Sequence, residues 1–303
     1  MNDTYTLDDF KIVKTVEGGN NEFITAMIKL NDGRIAVCST AQTIKFYDPF
    51  NNFSLDFTIP VEMNNKDSKI DYMIQLQNDH IALSSKGSEK LEIYSVTQTK
   101  SKKEFTIIDK DTFNYLAPLS KNRFGSISKG KCKIWKGNLP YSETPIIELA
   151  HSDLEHKQIL QLKDKEIMIL FVNCNIQLWD LDEYKYIKEI KVNSIGSSIV
   201  QIDDETLITG PKIVNIKTES ITEYNIQSFY VYKNIIKLRD NRALVFAKQL
   251  DFELGTHDRE FLLVNPNKEY TYKPIGKTIK HLINIDKHTF ITTKKNYFDV
   301  WKY

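Results

Sequence analysis

Residues 72–95 read YMIQLQNDHIALSSKGSEKLEIYS: a short apolar strand, a polar tight turn after Leu76, a second apolar strand, and a third strand that carries an aromatic, Tyr94. The same phrase returns seven times. Its turn segments are ITAMIKLNDGRIAVCS (24–39), YMIQLQNDHIALSS (72–85), YLAPLSKNRFGSIS (115–128), ILQLKDKEIMIL (159–170), IVQIDDETLITG (199–210), IIKLRDNRALVFA (235–247) and LINIDKHTFITT (282–293). The apolar residue before each turn is Leu30, Leu76, Leu119, Leu162, Ile202, Leu238 and Ile285, at separations of 46, 43, 43, 40, 36 and 47 residues. Polar turns between apolar runs are hairpin chemistry, and their recurrence at a near-constant spacing marks a repeat architecture.

A period of ~40–45 residues with several strands per unit predicts an all-β, seven-bladed β-propeller with four-stranded antiparallel blades. Residues 1–303 then form a single domain with no linker. In the second unit the strands are YMIQL (72–76), HIALSS (80–85), KLEIYS (90–95) and KKEFTII (102–108). The first two alternate poorly, as expected where both faces pack on neighbours. Outer strands alternate better: FSLDFTIP (53–60), TPIIEL (144–149), YIKEIKV (186–192), SITEYNI (220–226) and KEYTYKPI (268–275). The chain ends in YFDVWKY (297–303), a third strand, so the last unit lacks an outer one. LDDFKIVKTV (7–16) has the right pattern to supply it, and residues 1–16 are expected to close the ring and remove an open edge. The fifth unit is short and its third strand (KIVNIK, 212–217) lacks the aromatic, which leaves six or eight blades as the alternative count.

Composition narrows the function. Of 303 residues, 41% are hydrophobic, enough for a continuous core, and only 11 Gly and 8 Pro are present, so no segment reads as low-complexity. The 41 basic and 40 acidic residues leave a formal charge of +1, without the basic excess of a nucleic-acid binder. Cys38, Cys132 and Cys174 are widely spaced with no CxxC pair, which reads as buried thiols in a reducing compartment. The start, MNDTYTLDDFKIVK, is polar and acidic rather than a signal peptide, and no apolar run approaches the ~18 residues of a membrane span. A cytoplasmic location follows as the expectation.

The third strands carry a resemblance. TIKFYD (43–48), LEIYS (91–95), CKIWK (132–136), IQLWDLD (176–182), FLLVN (261–265) and FDVWK (298–302) resemble the strand that ends in Trp-Asp in WD-repeat proteins. Trp179-Asp180 is a literal match and Tyr47-Asp48 a near one; Trp135 and Trp301 keep the aromatic without the acid. Family members also carry a Gly-His pair and a buried Asp, which hydrogen-bond with a Ser or Thr and the Trp. This chain has no Gly-His dipeptide, and the Asp position reads Ala41 in the first unit and Lys or Asn elsewhere. Loss of both is coherent, because an Asp buried without its His would be an uncompensated charge. Apolar packing and backbone ladders are then expected to hold the blades. The resemblance, to a degenerate WD-repeat propeller, implies a non-catalytic scaffold for protein–protein interaction, a subunit of a larger complex. The rival is a propeller enzyme, or a ligand- or phosphate-binding module, using the central channel or a basic rim.

Candidate sites follow from the residues. The loop AHSDLEHKQ (150–158) gathers His151, Asp153, Glu155 and His156, but this composition also suits a solvated connector, and we assign no metal. No Gly-x-Ser-x-Gly elbow or Gly-rich phosphate loop is present, so no catalytic residue and no cofactor are assigned. Lys86, Lys129, Lys131, Lys294 and Lys295 lie in turns between second and third strands and are candidates for a phosphate-binding rim. Acids such as Asp109 and Asp111 on the same face favour a solvated rim instead. Two segments suggest a protein-binding surface. NIQSFYVYKN (225–234) places Phe229, Tyr230 and Tyr232 in a connector between the fifth and sixth blades, unless those rings extend a strand and pack internally. The excursion KQLDFELGTHDREF (248–261), with Phe252 and His257, lies beside it.

Overall fold

Each repeat folds as its hairpin chemistry requires. The turn-leading residue bonds across its own turn: the Leu30 N–H donates to the Arg34 carbonyl at 2.8 Å and that of Leu76 to His80 at 2.8 Å, and Leu162, Ile202, Leu238 and Ile285 do likewise. All seven turn-leading side chains are buried, so one residue both ends the first strand and anchors the turn to the core. In the first hairpin the return needs a left-handed residue, which Gly33 supplies at φ 95°.

The structure, a computed structural model, describes residues 6–19, 22–61, 69–77, 79–97, 101–128, 131–150, 156–163, 165–172, 175–193, 198–224, 230–238, 240–249, 259–265, 270–274 and 279–303. These form seven four-stranded antiparallel sheets, the blades of an all-β propeller. The first runs β2 (Ile24–Lys29), β3 (Ile35–Ser39), β4 (Thr43–Asp48) and β5 (Ser54–Pro60); the second β6 (Tyr72–Gln75), β7 (His80–Ser84), β8 (Ser88–Val96) and β9 (Ser101–Phe113). The third is β10 (Tyr115–Leu119), β11 (Arg123–Ser128), β12 (Lys131–Lys136) and β13 (Ile147–Ala150); the fourth β14 (His156–Gln161), β15 (Ile167–Val172), β16 (Asn175–Asp180) and β17 (Lys185–Ile190). The fifth is β18 (Ile199–Gln201), β19 (Thr206–Thr209), β20 (Lys212–Asn215) and β21 (Ile221–Glu223); the sixth β22 (Tyr230–Lys237), β23 (Ala243–Gln249), β24 (Arg259–Val264) and β25 (Tyr270–Pro274). The short fifth repeat is thus a complete blade, and the count is seven.

Two compact units hold the sheets, one of residues 1–17, 162–180 and 185–303, the other of residues 18–161 and 181–184. In the first unit the seventh sheet is β26 (Leu282–Asn284), β27 (Thr289–Thr293), β28 (Tyr297–Lys302) and, as its outer strand, β1 (Lys11–Glu17). The N-terminus therefore completes the last blade, pairing Lys11 with Lys302 through Glu17 with Tyr297. The strand starts later than the sequence pattern suggests. Leu7–Asp9 is a single 3₁₀ turn, because Thr6 caps it: the Asp8 N–H donates to Thr6 Oγ1 at 3.3 Å, and Asp9 accepts back from the Thr6 N–H at 2.6 Å. That turn drops Leu7 and Phe10 into an apolar cluster with Ile279, Phe290 and Trp301. In the second unit the corresponding core joins Ile74, Ile93, Phe113, Phe124 and Trp135. Trp135, Trp179 and Trp301 are all buried, as their equivalent third-strand positions predict.

Two further differences bear on function. β9 continues to Phe113, so Asp109 and Asp111 are strand residues and not loop acids. β22 begins at Tyr230, and Tyr230 pairs with Gln249 and Tyr232 with Ala247. These two tyrosines belong to an inner strand, the second of the two placements the sequence left open.

Candidate functional site

In five of the blades one third-strand aromatic (Tyr47, Tyr94, Trp135, Trp179 or Trp301) has a polar residue two positions before it: Lys45, Glu92, Lys133, Gln177 and Asp299. Strand alternation puts that residue on the aromatic's own face, and it is buried or part-buried in each case. Each has a polar partner. Lys45 pairs with Glu22 at 2.8 Å, Glu92 with Lys103 at 2.8 Å, and Gln177 donates to Glu189 at 3.0 Å. Asp299 pairs with Lys294 and accepts from Thr15 Oγ1 at 2.6 Å. Lys133, only 5% exposed, reaches Asp109 at 2.7 Å and Asp111 at 2.8 Å. Burial opposes its charge, but the hydrogen bonds to the two aspartates override that and raise its pKa. The Lys133 and Lys131 hydrogen bonds in turn hold the Asp111 carboxyl below its ordinary value. These ionic groups add to the apolar packing and backbone ladders expected to hold the blades. They are engaged internally, which spends them on architecture.

Beside them the indoles find hydroxyls. Trp135 Nε1 donates to Ser126 Oγ and Trp301 Nε1 to Thr292 Oγ1, each at 2.8 Å. The fourth sheet has Leu170 where those hydroxyls stand, opposite Gln177, and Trp179 Nε1 donates to Gln177 Oε1 at 3.4 Å instead.

A second periodic position lies at the turn end of the first strands. In five blades the residue just before the turn-leading residue reaches back to the preceding blade. Gln75 Oε1 accepts from the Asn31 N–H at 2.7 Å, Gln161 Oε1 from Ser120 at 2.6 Å, and Gln201 Oε1 from Lys163 at 2.8 Å. Lys237 donates to the Ile202 carbonyl, and Asn284 Nδ2 to that of Lys237 at 2.9 Å. The third blade has Pro118 at this position, which offers no polar side chain. At that seam lies a pocket of about 330 Å³, whose lining includes Asn31, Gln75, Gln77, Pro118, Asn122 and Gly137. Arg123 also lines it, but its guanidinium is held by the Ser120 carbonyl at 3.1 Å and by the Leu181 carbonyl. A Cβ at Gly137 would stand 3.1 Å from the Asn122 carbonyl oxygen, a tight contact that glycine avoids.

Two large exposed apolar side chains lie on turns close in sequence to the pocket's lining residues. Phe50, 87% exposed, sits in the 3₁₀ turn Pro49–Asn51 with its ring against Gly33, two residues from Asn31. Leu139, 55% exposed, is two residues from Gly137. Sequence reasoning passed over both, although the PFN and NLP turns that carry them were legible as turns.

The residues singled out from the sequence are scattered. Phe229, Phe252, His257 and Lys129 lie outside the described residues, as do His151, Asp153 and Glu155. Tyr230 and Tyr232 are placed in β22. Lys131 bridges Asp111 at 3.1 Å and Glu148 at 2.8 Å, while Lys294 is buried against Asp299 with its ammonium 4.5 Å from the Tyr297 ring centroid. Lys86 and Lys295 are exposed. Among the described residues no group of three or more His, Cys, Asp or Glu is placed to hold a metal ion, and no helix is long and apolar enough to cross a membrane. Cys38 and Cys132 are free and buried, and burial pushes the Cys132 thiol up to about 12.

Neither a protein-family model nor a curated protein matches the chain.

Proposed function

We propose that this propeller is a binding scaffold, a divergent relative of the WD-repeat proteins that holds another protein within a larger assembly. Its docking surface is the turn end of the first three blades. The observation that carries this is Phe50, a nearly fully exposed aromatic on the Pro49–Asn51 turn, with Leu139 exposed two residues from Gly137 of the pocket. Large exposed apolar side chains together with a concave site have the composition of an interface centre. The WD-repeat kinship is supported by the indole-to-hydroxyl bonds of Trp135 and Trp301, which reproduce the Ser/Thr half of that family's buried network. Free, buried thiols at Cys38 and Cys132 suit a reducing cytoplasm.

The test is a paired comparison in affinity purification from the native cell. Changing Phe50 and Leu139 together to Ala is expected to lower recovery of the complex at least tenfold, about 1.4 kcal/mol, with Tm unmoved because both side chains are solvent-exposed. A second variant, Phe229→Ala with Tyr230→Ala, probes the aromatic segment singled out from the sequence. Loss in the second variant and retention in the first would move the interface to that segment.

A further inference from the structure

From the seam pattern we infer that the pocket lined by the first three blades, at the second-to-third seam, is a receptor for a primary carboxamide, the side chain of a Gln presented by a partner peptide. The chain itself shows which chemistry the position takes. At three seams a Gln side-chain oxygen accepts a hydrogen bond from the backbone N–H of the residue after the turn-leading residue: Asn31, Ser120 and Lys163. The equivalent N–H at the second-to-third seam belongs to Gln77, which follows Leu76. The side chain that would reach it is Pro118, whose ring has no acceptor. Both Gln77 and Pro118 line the pocket. A missing clasp and a cavity therefore coincide.

The rest of the lining agrees with an amide. Its apolar part, from Ile74, Leu76 and Leu119, suits the methylenes of a Gln side chain, and no carboxylate lines it among the described residues. Asn31, Gln75 and Asn122 offer carboxamide and backbone groups for the ligand's NH₂. Lys29 and Arg123 also line the pocket, and Arg123 already donates to protein oxygens. A carboxylate ligand is accordingly the competing chemistry that the experiment must separate. The inference deepens the scaffold reading by naming what the partner inserts, yet it can be tested without the partner.

The experiment uses the full chain labelled with ¹⁵N-glutamine, the Gln77 amide being assigned through Gln77→Asn, and the probe N-acetyl-L-glutamine methylamide. Titration is expected to shift the Gln77 amide saturably, with N-acetyl-L-glutamate methylamide giving a weaker response. Pro118→Gln should supply the missing clasp from within, raise Tm and abolish the shift. Pro118→Ala removes the ring without supplying an acceptor and should bind the probe as the wild type does. A Gln77 amide that does not move, stronger binding of the glutamate probe, or equal binding in Pro118→Gln would each overturn the assignment. Loss of binding in Pro118→Ala would also overturn it, since the proline ring rather than the vacancy would then be responsible. Should Pro118→Gln fail to fold, the two-probe titration of the wild type still decides. A failed titration leaves the Phe50 and Leu139 test of the scaffold standing, and a failed scaffold test leaves the pocket's chemistry intact.

Discussion

In the third sheet, Trp135 donates to a hydroxyl, Ser126, at 2.8 Å, and the residue opposite Ser126 is a buried lysine tied to Asp109 and Asp111. In the fourth, Trp179 has Leu170 where the hydroxyl would be and reaches Gln177 at 3.4 Å, and Gln177 is neutral. The two sheets share a backbone plan and bury the same ring. They differ in how the polar atoms around it are satisfied. A buried indole N–H needs an acceptor, and a buried charge needs partners closer and better aligned than a neutral group does. The third sheet is therefore the more demanding construction, and the one more easily broken by a single change.

The largest expected effect is loss of the ring. Trp135→Ala should cost about 3–5 kcal/mol, the range for truncating a buried aromatic. Trp179→Ala should fall at or below the lower end, because the Tyr186 ring packed edge-on against it is half-exposed and can close over the gap. Denaturant unfolding of the two variants measures the difference, and a larger loss for Trp179 would break the comparison.

Next comes the charge. Lys133→Met strands Asp109 in a buried site, and a loss of about 3–5 kcal/mol is expected, as for a buried pair deprived of one partner. Gln177→Met removes a neutral amide and should cost nearer ~1–3 kcal/mol. Converting Lys133 and Asp109 together to Met and Leu should restore most of the loss, and a double variant as unstable as the single would show that packing, not charge, sets the penalty.

A smaller effect belongs to the hydroxyl. Ser126→Ala leaves the Trp135 indole without its acceptor at about 1–3 kcal/mol. Leu170→Ser in the fourth sheet offers Trp179 the missing acceptor and should bring the two indoles to similar fluorescence maxima, at the expense of an apolar contact.

The smallest effect is pH-dependent. The folded Asp111 carboxyl is held below its ordinary value of 3.8, so its contribution is present above that pH and is lost as pH falls through the lower folded value. The Tm difference between wild type and Asp111→Asn should accordingly shrink on acidification below 3.8. A difference that grew with acid would contradict the pairing. Asp111 is a third exposed, so water screens the pair and keeps the difference modest.

Much of this plan is legible in the chain. The seven turn-leading residues, the burial of three tryptophans and the N-terminal outer strand all follow from local pattern. So in principle does the polar belt, since Lys45, Glu92, Lys133, Gln177 and Asp299 stand at a fixed offset from the aromatics. Read singly, KIW or FDVW looks like ordinary alternation, and the offset gains meaning only when the five strands are superposed. The partners are beyond local pattern: Asp109 lies 24 residues before Lys133, on the outer strand of another blade. Tyr230 and Tyr232 were left open for a related reason, as an aromatic run between two blades reads equally as connector or strand until β23 pairs with it.

By itself, then, the sequence determined the propeller class, the strand order within a blade and the hydrophobic faces, because hairpin turns and strand alternation are local and repeat without reference to anything distant; the count of seven became definite only when the short fifth repeat folded as a complete blade. Tertiary structure alone decided which charges meet, which seam lacks its clasp and where a pocket opens. Those depend on side chains from different blades being brought within 3 Å of one another, and only the folded backbone sets that distance.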